Sequence, residues 1–237
     1  MNFKQIIIPI LAIFIFLFTV NTVTAKNKAL QLKEACNNGY AKACANLAYM
    51  YENGRGVKQN YAKAAILYQK SCENGISESC YNLALIYHNG RGLEQNNKQA
   101  AKFYNMACSN GISNACLNLA YMYENSQGVK QDYAEAEKLY KKACDAGALN
   151  ACFNLAVMYD TGKVAAKDYS EVINLYTETC DGQIAKGCYN LAAIYYNGKS
   201  VERDLEKAKN LFKKACDMSL QKSCEAYNML LKQMQKN

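Results

Sequence analysis

The chain has 237 residues with 12 cysteines, one proline and no tryptophan, and its 28 basic against 20 acidic side chains give a formal charge of +8. Lys and Arg are spread along the sequence rather than gathered with stacking aromatics, which argues against a nucleic-acid surface. The absence of a Gly-rich phosphate loop leaves nucleotide binding without support. A single histidine, His88, speaks against a histidine-built metal centre, so no metal or cofactor is expected.

In chain order, Lys4 precedes the apolar run IIIPILAIFIFLFTV, and a short polar stretch ends in Val23-Thr24-Ala25. Small residues at the two positions a signal peptidase reads predict a signal peptide over 1–25, cleaved after Ala25. A retained anchor is the competing reading, but the run is shorter than the roughly 20 residues a spanning helix needs. The mature chain, 26–237, would reach the periplasm or the exterior without a membrane anchor. It keeps all 12 cysteines and, having lost Lys4, carries 27 basic and 20 acidic groups, a charge of +7.

From Cys36 onward one frame repeats every 36 residues, starting at 36, 72, 108, 144 and 180, with a last partial frame from 216 that supplies a C-terminal capping helix. An unbroken period of this length is the mark of a solenoid, in which each unit packs on its neighbours. Within a unit, a first helix (A) is predicted over about 41–52, with Cys44, Leu47, Ala48 and Tyr51 forming a buried stripe at helical spacing. Asn53-Gly54-Arg55-Gly56 stops it. Asn60, with its counterparts Asn96, Asp132, Asp168 and Asp204, is placed to cap a second helix (B), predicted over 61–71, whose Ala64, Ala65, Leu67 and Tyr68 face the core. Gln99, Glu135 and Glu171 stand at the capping-box spacing. The fold class is therefore all-α, a right-handed solenoid of antiparallel helix pairs. Ser126, Val164 and Ser200 replace a loop glycine, and reshaped turns are expected there, most of all at Lys163-Val164-Ala165-Ala166.

Cysteines recur eight residues apart across the B-to-A turn and 28 residues apart along the repeat. In an oxidising compartment an even count implies disulfides. The 28-residue pairing strands Cys36 and Cys224. The eight-residue pairing uses all twelve: Cys36 with Cys44, Cys72 with Cys80, Cys108 with Cys116, Cys144 with Cys152, Cys180 with Cys188, and Cys216 with Cys224. Such a bridge would pin each hairpin to the next, and closing a nine-residue loop contributes about 2.6 kcal/mol in the chain-entropy picture.

The stretches NLAYMYENGRGVKQNYAKAAILYQKSC and NLALIYHNGRGLEQNNKQAAKFYNMAC resemble Sel-one-like repeats (SLR), relatives of the tetratricopeptide repeat. Together with the regular C-x7-C step and a leader, the chain is similar to the Helicobacter cysteine-rich proteins. That resemblance implies two functions: penicillin or beta-lactam binding with weak beta-lactam hydrolysis in the cysteine-rich group, and protein interaction in SLR and tetratricopeptide solenoids at large.

The residues offer hydrolysis little. The one S-x-x-K, Ser219 to Lys222, lacks the companion motifs of serine lactamases, and with 10 serines and 25 lysines a chance match is expected. His88 aligns with Glu52, Glu124, Asp160 and Tyr196, and reads as an ordinary surface residue at a variable, solvent-facing position. For binding, Asn46, Asn82, Asn118, Asn154 and Asn190 form a ladder on helix A, joined on the same predicted concave face by Tyr49, Tyr121 and Met122. Amides can hydrogen-bond a peptide backbone while aromatic neighbours supply contact area. The same amides could equally bond between adjacent repeats. The expected ligand is a peptide, a protein, or a beta-lactam or peptidoglycan-like molecule.

Overall fold

The computed structural model describes residues 24–166 and 168–235. The expected leader thus lies outside the described residues except for Thr24 and Ala25, which begin helix α1 at residues 24–37. The chain forms two compact units, 1–112 and 113–237. In the first, α1 is followed by α2 (Ala41–Asn53), α3 (Tyr61–Glu73), α4 (Ser77–Asn89) and α5 (Asn97–Ser109). In the second run α6 (Ser113–Glu124), α7 (Tyr133–Asp145), α8 (Leu149–Asp160), α9 (Tyr169–Asp181), α10 (Ala185–Asn197), α11 (Leu205–Asp217) and α12 (Gln221–Met234). No strand occurs among the described residues. Helices A are α2, α4, α6, α8, α10 and α12; the B helices alternate with them and begin with α1. The B helices run two residues past the predicted end and α2, α4 and α10 one, while α6 and α8 stop at it.

The local chemistry behaves as the repeat demands. Asn60 Oδ1 accepts from the Lys63 amide at 2.9 Å, and Asn96, Asp132, Asp168 and Asp204 do the same for the amide three residues on. Gly54, Gly90 and Gly198 end helices A in the left-handed conformation. The second loop glycine has a further reason: at Gly56 and Gly92 an added Cβ would lie 2.7 Å from Ala25 and 2.6 Å from Tyr61 Cβ, both at the start of the preceding helix B. The expected reshaping is confined to one turn. Ser126 (φ 57°) and Ser200 (φ 59°) keep the left-handed conformation of the glycines they replace, whereas Val164, β-branched, does not adopt it.

The core is made of the same positions in every hairpin. Ala48, Ala84, Ala120, Ala156 and Ala192 are fully buried on helices A, and Tyr68, Tyr104, Tyr140 and Tyr176 on helices B. Both ends of the repeat depart from this pattern. Lys28 stands where Ala64 and its counterparts are buried, and Asn228 where Ala48 and its counterparts are; both are exposed.

Five bridges join the end of a helix B to the first turn of the next helix A: Cys36–Cys44, Cys72–Cys80, Cys144–Cys152, Cys180–Cys188 and Cys216–Cys224, with Cα atoms 4.4 to 4.8 Å apart. No cysteine among the described residues is free. Stapling successive hairpins is the arrangement that the eight-residue step requires, and it fits an extracytoplasmic, oxidising compartment. No helix among the described residues is long and apolar enough to cross a membrane.

Candidate functional site: the exposed ridge of the A helices

Because Cβ positions three and four apart share a helix face, each helix A presents one exposed ridge opposite its Leu-Ala stripe. Lys42, Asn46 and Tyr49 form it on α2, Asn114, Asn118 and Tyr121 on α6, and Lys186, Asn190 and Ala193 on α10. Tyr49 and Tyr121 are 44% and 45% exposed, and the Arg55 guanidinium lies 5.1 Å from the Tyr49 ring centre. Met122 does not belong to the ridge. It is fully buried, like Met50, Ile86, Met158 and Ile194 at the same repeat position. The wheel places position 50 outward without regard to packing; at Met50, Ala29 and Leu32 of α1 pack against that side of α2.

The asparagine ladder is built into a network. Tyr68 Oη donates to Glu52 Oε2 at 2.7 Å, and the Asn82 side chain acts on that same hydroxyl in the sense of a donor, favouring its ionised form. Tyr140 likewise donates to Glu124 Oε2 at 2.7 Å, and Asn154 acts on it in the same sense. Tyr176 reaches Asp160 Oδ2 at 3.4 Å and receives Asn190 Nδ2 at 3.1 Å. Each relay thus runs from helix A of one repeat, through helix B of the repeat before it, to that repeat's own helix A. Burial first, and then the adjoining carboxylate, hold the Tyr68 and Tyr140 hydroxyls well above the ordinary tyrosine range; for Tyr176 burial is again the first cause and the charge of Asp160 the second. In the second unit a loop lysine completes the relay: Lys163 Nζ lies 2.8 Å from Glu124 Oε1, and Lys199 Nζ 2.5 Å from Asp160 Oδ1. These hydrogen bonds raise both lysines above their usual value. Asn118 is half-buried, while Asn46, which has Leu32 rather than a tyrosine in the register of Tyr68, is exposed.

The relay acids escape a sequence reading that treats their position as solvent-facing, although a signal exists. Glu124 and Asp160 are followed 39 residues later by Lys163 and Lys199, and Glu52 is followed at that offset by Arg91. His88 and Tyr196, which are not acids, are followed by Gln127 and Gln235 instead. His88 is accordingly not an ordinary surface residue: it is half-buried, with its ring centre 6.2 Å from that of Tyr104. In the last repeat Tyr196, Phe212 and Ala226 replace acid, tyrosine and asparagine together, and Tyr196 Oη turns to Gln233 at 3.2 Å.

Beside the third relay a notch of about 250 Å³ opens on the ridge, lined by Val157, Thr161, Ala193 and Asn197 with Asp160 and Lys199 at its polar side. Its counterpart at the first repeat, about 330 Å³, is lined by Asn46, Tyr49, Met50 and Arg55 together with α1 residues. Ser219 lies elsewhere. It takes φ 66° in a B-to-A turn, the position held by Gly75, Gly111 and Gly147, and Lys222 Nζ sits 3.9 Å from the Tyr189 ring centre. Cys144, Cys152 and Glu178 cluster closely, but both cysteines are spent in one bridge and offer no thiolate to a metal.

The Sel1 repeat model matches residues 41–76, 77–112, 113–147, 149–182 and 185–220. Among solved structures, a protective antigen of uropathogenic Escherichia coli with an SLR fold is 25% identical, with a TM-score of 0.83 over 87% of this chain; the chain spans only 44% of that structure's length. A Sel1 repeat protein from Oxalobacter formigenes is 22% identical, with a TM-score of 0.71 over 84% of this chain and 86% of its own. Helicobacter pylori cysteine rich protein B is 30% identical over 54% of this chain and 96% of its own, with a TM-score of 0.42. No curated protein matches.

Proposed function

The chain belongs to the Sel1 repeat family, and on that premise we propose that it is an exported interaction scaffold that binds a protein or peptide along the exposed ridge of its A helices, after loss of the leader 1–25. One observation carries this reading: an unvarying frame supports a varied surface. Behind the ridge, Cys, Leu and Ala recur at positions 44, 47 and 48 of every complete repeat. On the ridge, position 42 runs Lys42, Glu78, Asn114, Asn150, Lys186, and position 49 runs Tyr49, Leu85, Tyr121, Val157, Ala193. Aromatic and apolar residues with mixed polar neighbours suit a protein surface. Asn190 serves first as an inter-repeat bond, since it already donates to the buried Tyr176, and Asn82 and Asn154 stand beside Tyr68 and Tyr140 in the same register. Their remaining amide capacity, with Asn46, Tyr49 and Tyr121, is what a partner meets. Beta-lactam hydrolysis finds no support in Ser219, whose place in the turn is explained by backbone geometry.

The test uses the oxidised mature protein with a photo-crosslinking phenylalanine in place of Tyr49 or Tyr121, and in place of Lys213 on an outer helix face as control. Adducts with an envelope protein at 49 and 121 but not at 213 are the expected result. Equal labelling at all three positions overturns the ridge. Turnover of a chromogenic cephalosporin that Ser219→Ala abolishes overturns the scaffold reading itself.

A further inference from the structure

A second surface, sharing no residue with the ridge, occurs only in the first hairpins. Leu30 and Ile66 occupy the same repeat position on helices α1 and α3 and are 67% and 68% exposed. The same position carries Lys102, Lys138, Asn174 and Asn210 further along. Between α1 and α3 lies a groove of about 260 Å³ whose floor and walls are Leu47, Tyr51, Ile66 and Leu67 and whose rim carries Lys33 and Lys63. Neither lysine has an ion-pair partner among the described residues; Lys63 Nζ rests over the Tyr51 ring at 5.4 Å. The surrounding unit is strongly basic: residues 26–112 hold 11 basic and 5 acidic side chains, a balance of +6.

Adjoining large apolar side chains left in water mark interaction surfaces, and a basic rim without acidic neighbours draws acidic partners. From this we propose that the α1–α3 groove docks an acidic polypeptide segment, seating a bulky apolar side chain on Tyr51, Ile66 and Leu67 while its flanking carboxylates meet Lys33 and Lys63. The charge of the rim fixes the sign of the partner. The pocket's size, a side chain or two rather than an extended patch, favours a peptide over a bilayer. This docking extends the interaction reading to another face and does not depend on the ridge.

The protein's own repeats supply safe substitutions. Ile66→Asn installs the residue type of Asn174 and Asn210, and Lys63→Glu that of Glu135 and Glu171, so both variants keep residue types the frame already carries. The probe is a fluorescein-labelled peptide with glutamates flanking a Leu-Phe pair, titrated by anisotropy into the oxidised mature chain at low salt. Binding by the wild type, weakened about tenfold by each substitution, is the expected result. It should also be lost when lysines replace the glutamates or serines replace the Leu-Phe pair. No binding by the wild type, or equal binding by both variants with unchanged melting, overturns the proposal. So does sedimentation with phosphatidylglycerol vesicles that the same variants abolish, which would assign the groove to lipid. Tyr49→Ala leaves this titration unchanged, so failure of the ridge and failure of the groove are separately visible.

Discussion

The two units share one repeat and differ in how they handle charge. Residues 26–112 carry a balance of +6, and no ion pair forms among their described residues. Residues 113–237 hold 16 basic and 15 acidic side chains, a balance of +1, and contain pairs such as Lys163–Glu124, Lys199–Asp160 and Lys214–Asp181. The N-cap hydrogen bonds and the bridges recur in both, with Asn at the caps of the first unit and Asp at those of the second, and only the turn after α8 departs from the frame. The difference teaches that the Sel1 frame does not need surface ion pairs to form: its stability lies in the stapled, alanine-spaced hairpin. Charge is then free to be neutralised internally in one half and left open in the other. Open charge steers partners and tunes association more than it holds a fold.

The strongest way to break this comparison is to remove one staple from each half. Cys72→Ser with Cys80→Ser and Cys144→Ser with Cys152→Ser open loops of equal length, so each should cost about 2.6 kcal/mol in denaturant unfolding. A markedly larger loss in one half would show that the halves differ in more than charge. Non-reducing peptide mapping of the wild type should also return Cys108 joined to Cys116, the pair implied by the period.

Next in size is the tyrosine relay. Tyr140→Phe deletes a hydrogen bond to the Glu124 carboxylate, and should cost about 1.5 kcal/mol. Tyr68→Phe tests the same relay in the basic half, and a comparable cost there shows that the relay works in both. The reverse change, Phe212→Tyr, adds a hydroxyl where Tyr196 and Ala226 have replaced its partners and should destabilise by about 1 kcal/mol or more; adding Tyr196→Glu and Ala226→Asn should recover the loss. The relay also sets a pH dependence. Tyr68, Tyr140 and Tyr176 are raised above the ordinary value of 10.0, so the native state keeps protons that the unfolded chain releases. Their contribution is complete below pH 10 and declines as pH rises beyond it. Melting temperatures measured from pH 8 to pH 11 should fall at the alkaline end, less steeply in Tyr140→Phe.

Smaller again is Lys163→Met, about 0.5 kcal/mol, because the ammonium is partly exposed and screened. The smallest effect is ionic. Raising salt should slow amide exchange slightly in residues 26–112, where like charges repel, and leave it unchanged or faster in 113–235, where it weakens pairs. Identical responses in the two halves would erase the contrast.

The sequence by itself determined the repeat, its helices, the caps at Asn60 and its counterparts, and the eight-residue bridges, because each rests on interactions within a few residues of the chain. What only the tertiary structure decided lies between hairpins. Met122 reads as a ridge residue, yet the folded chain buries it. Glu52, Glu124 and Asp160 read as solvent-facing until the tyrosine of the following helix B, sixteen residues on, donates to them. Asn190 reads as a ligand contact until Tyr176 claims one of its donors. A helical wheel records the angle of a side chain about its own axis, whereas burial and pairing depend on what the next hairpin brings across, and that is a distance set by packing.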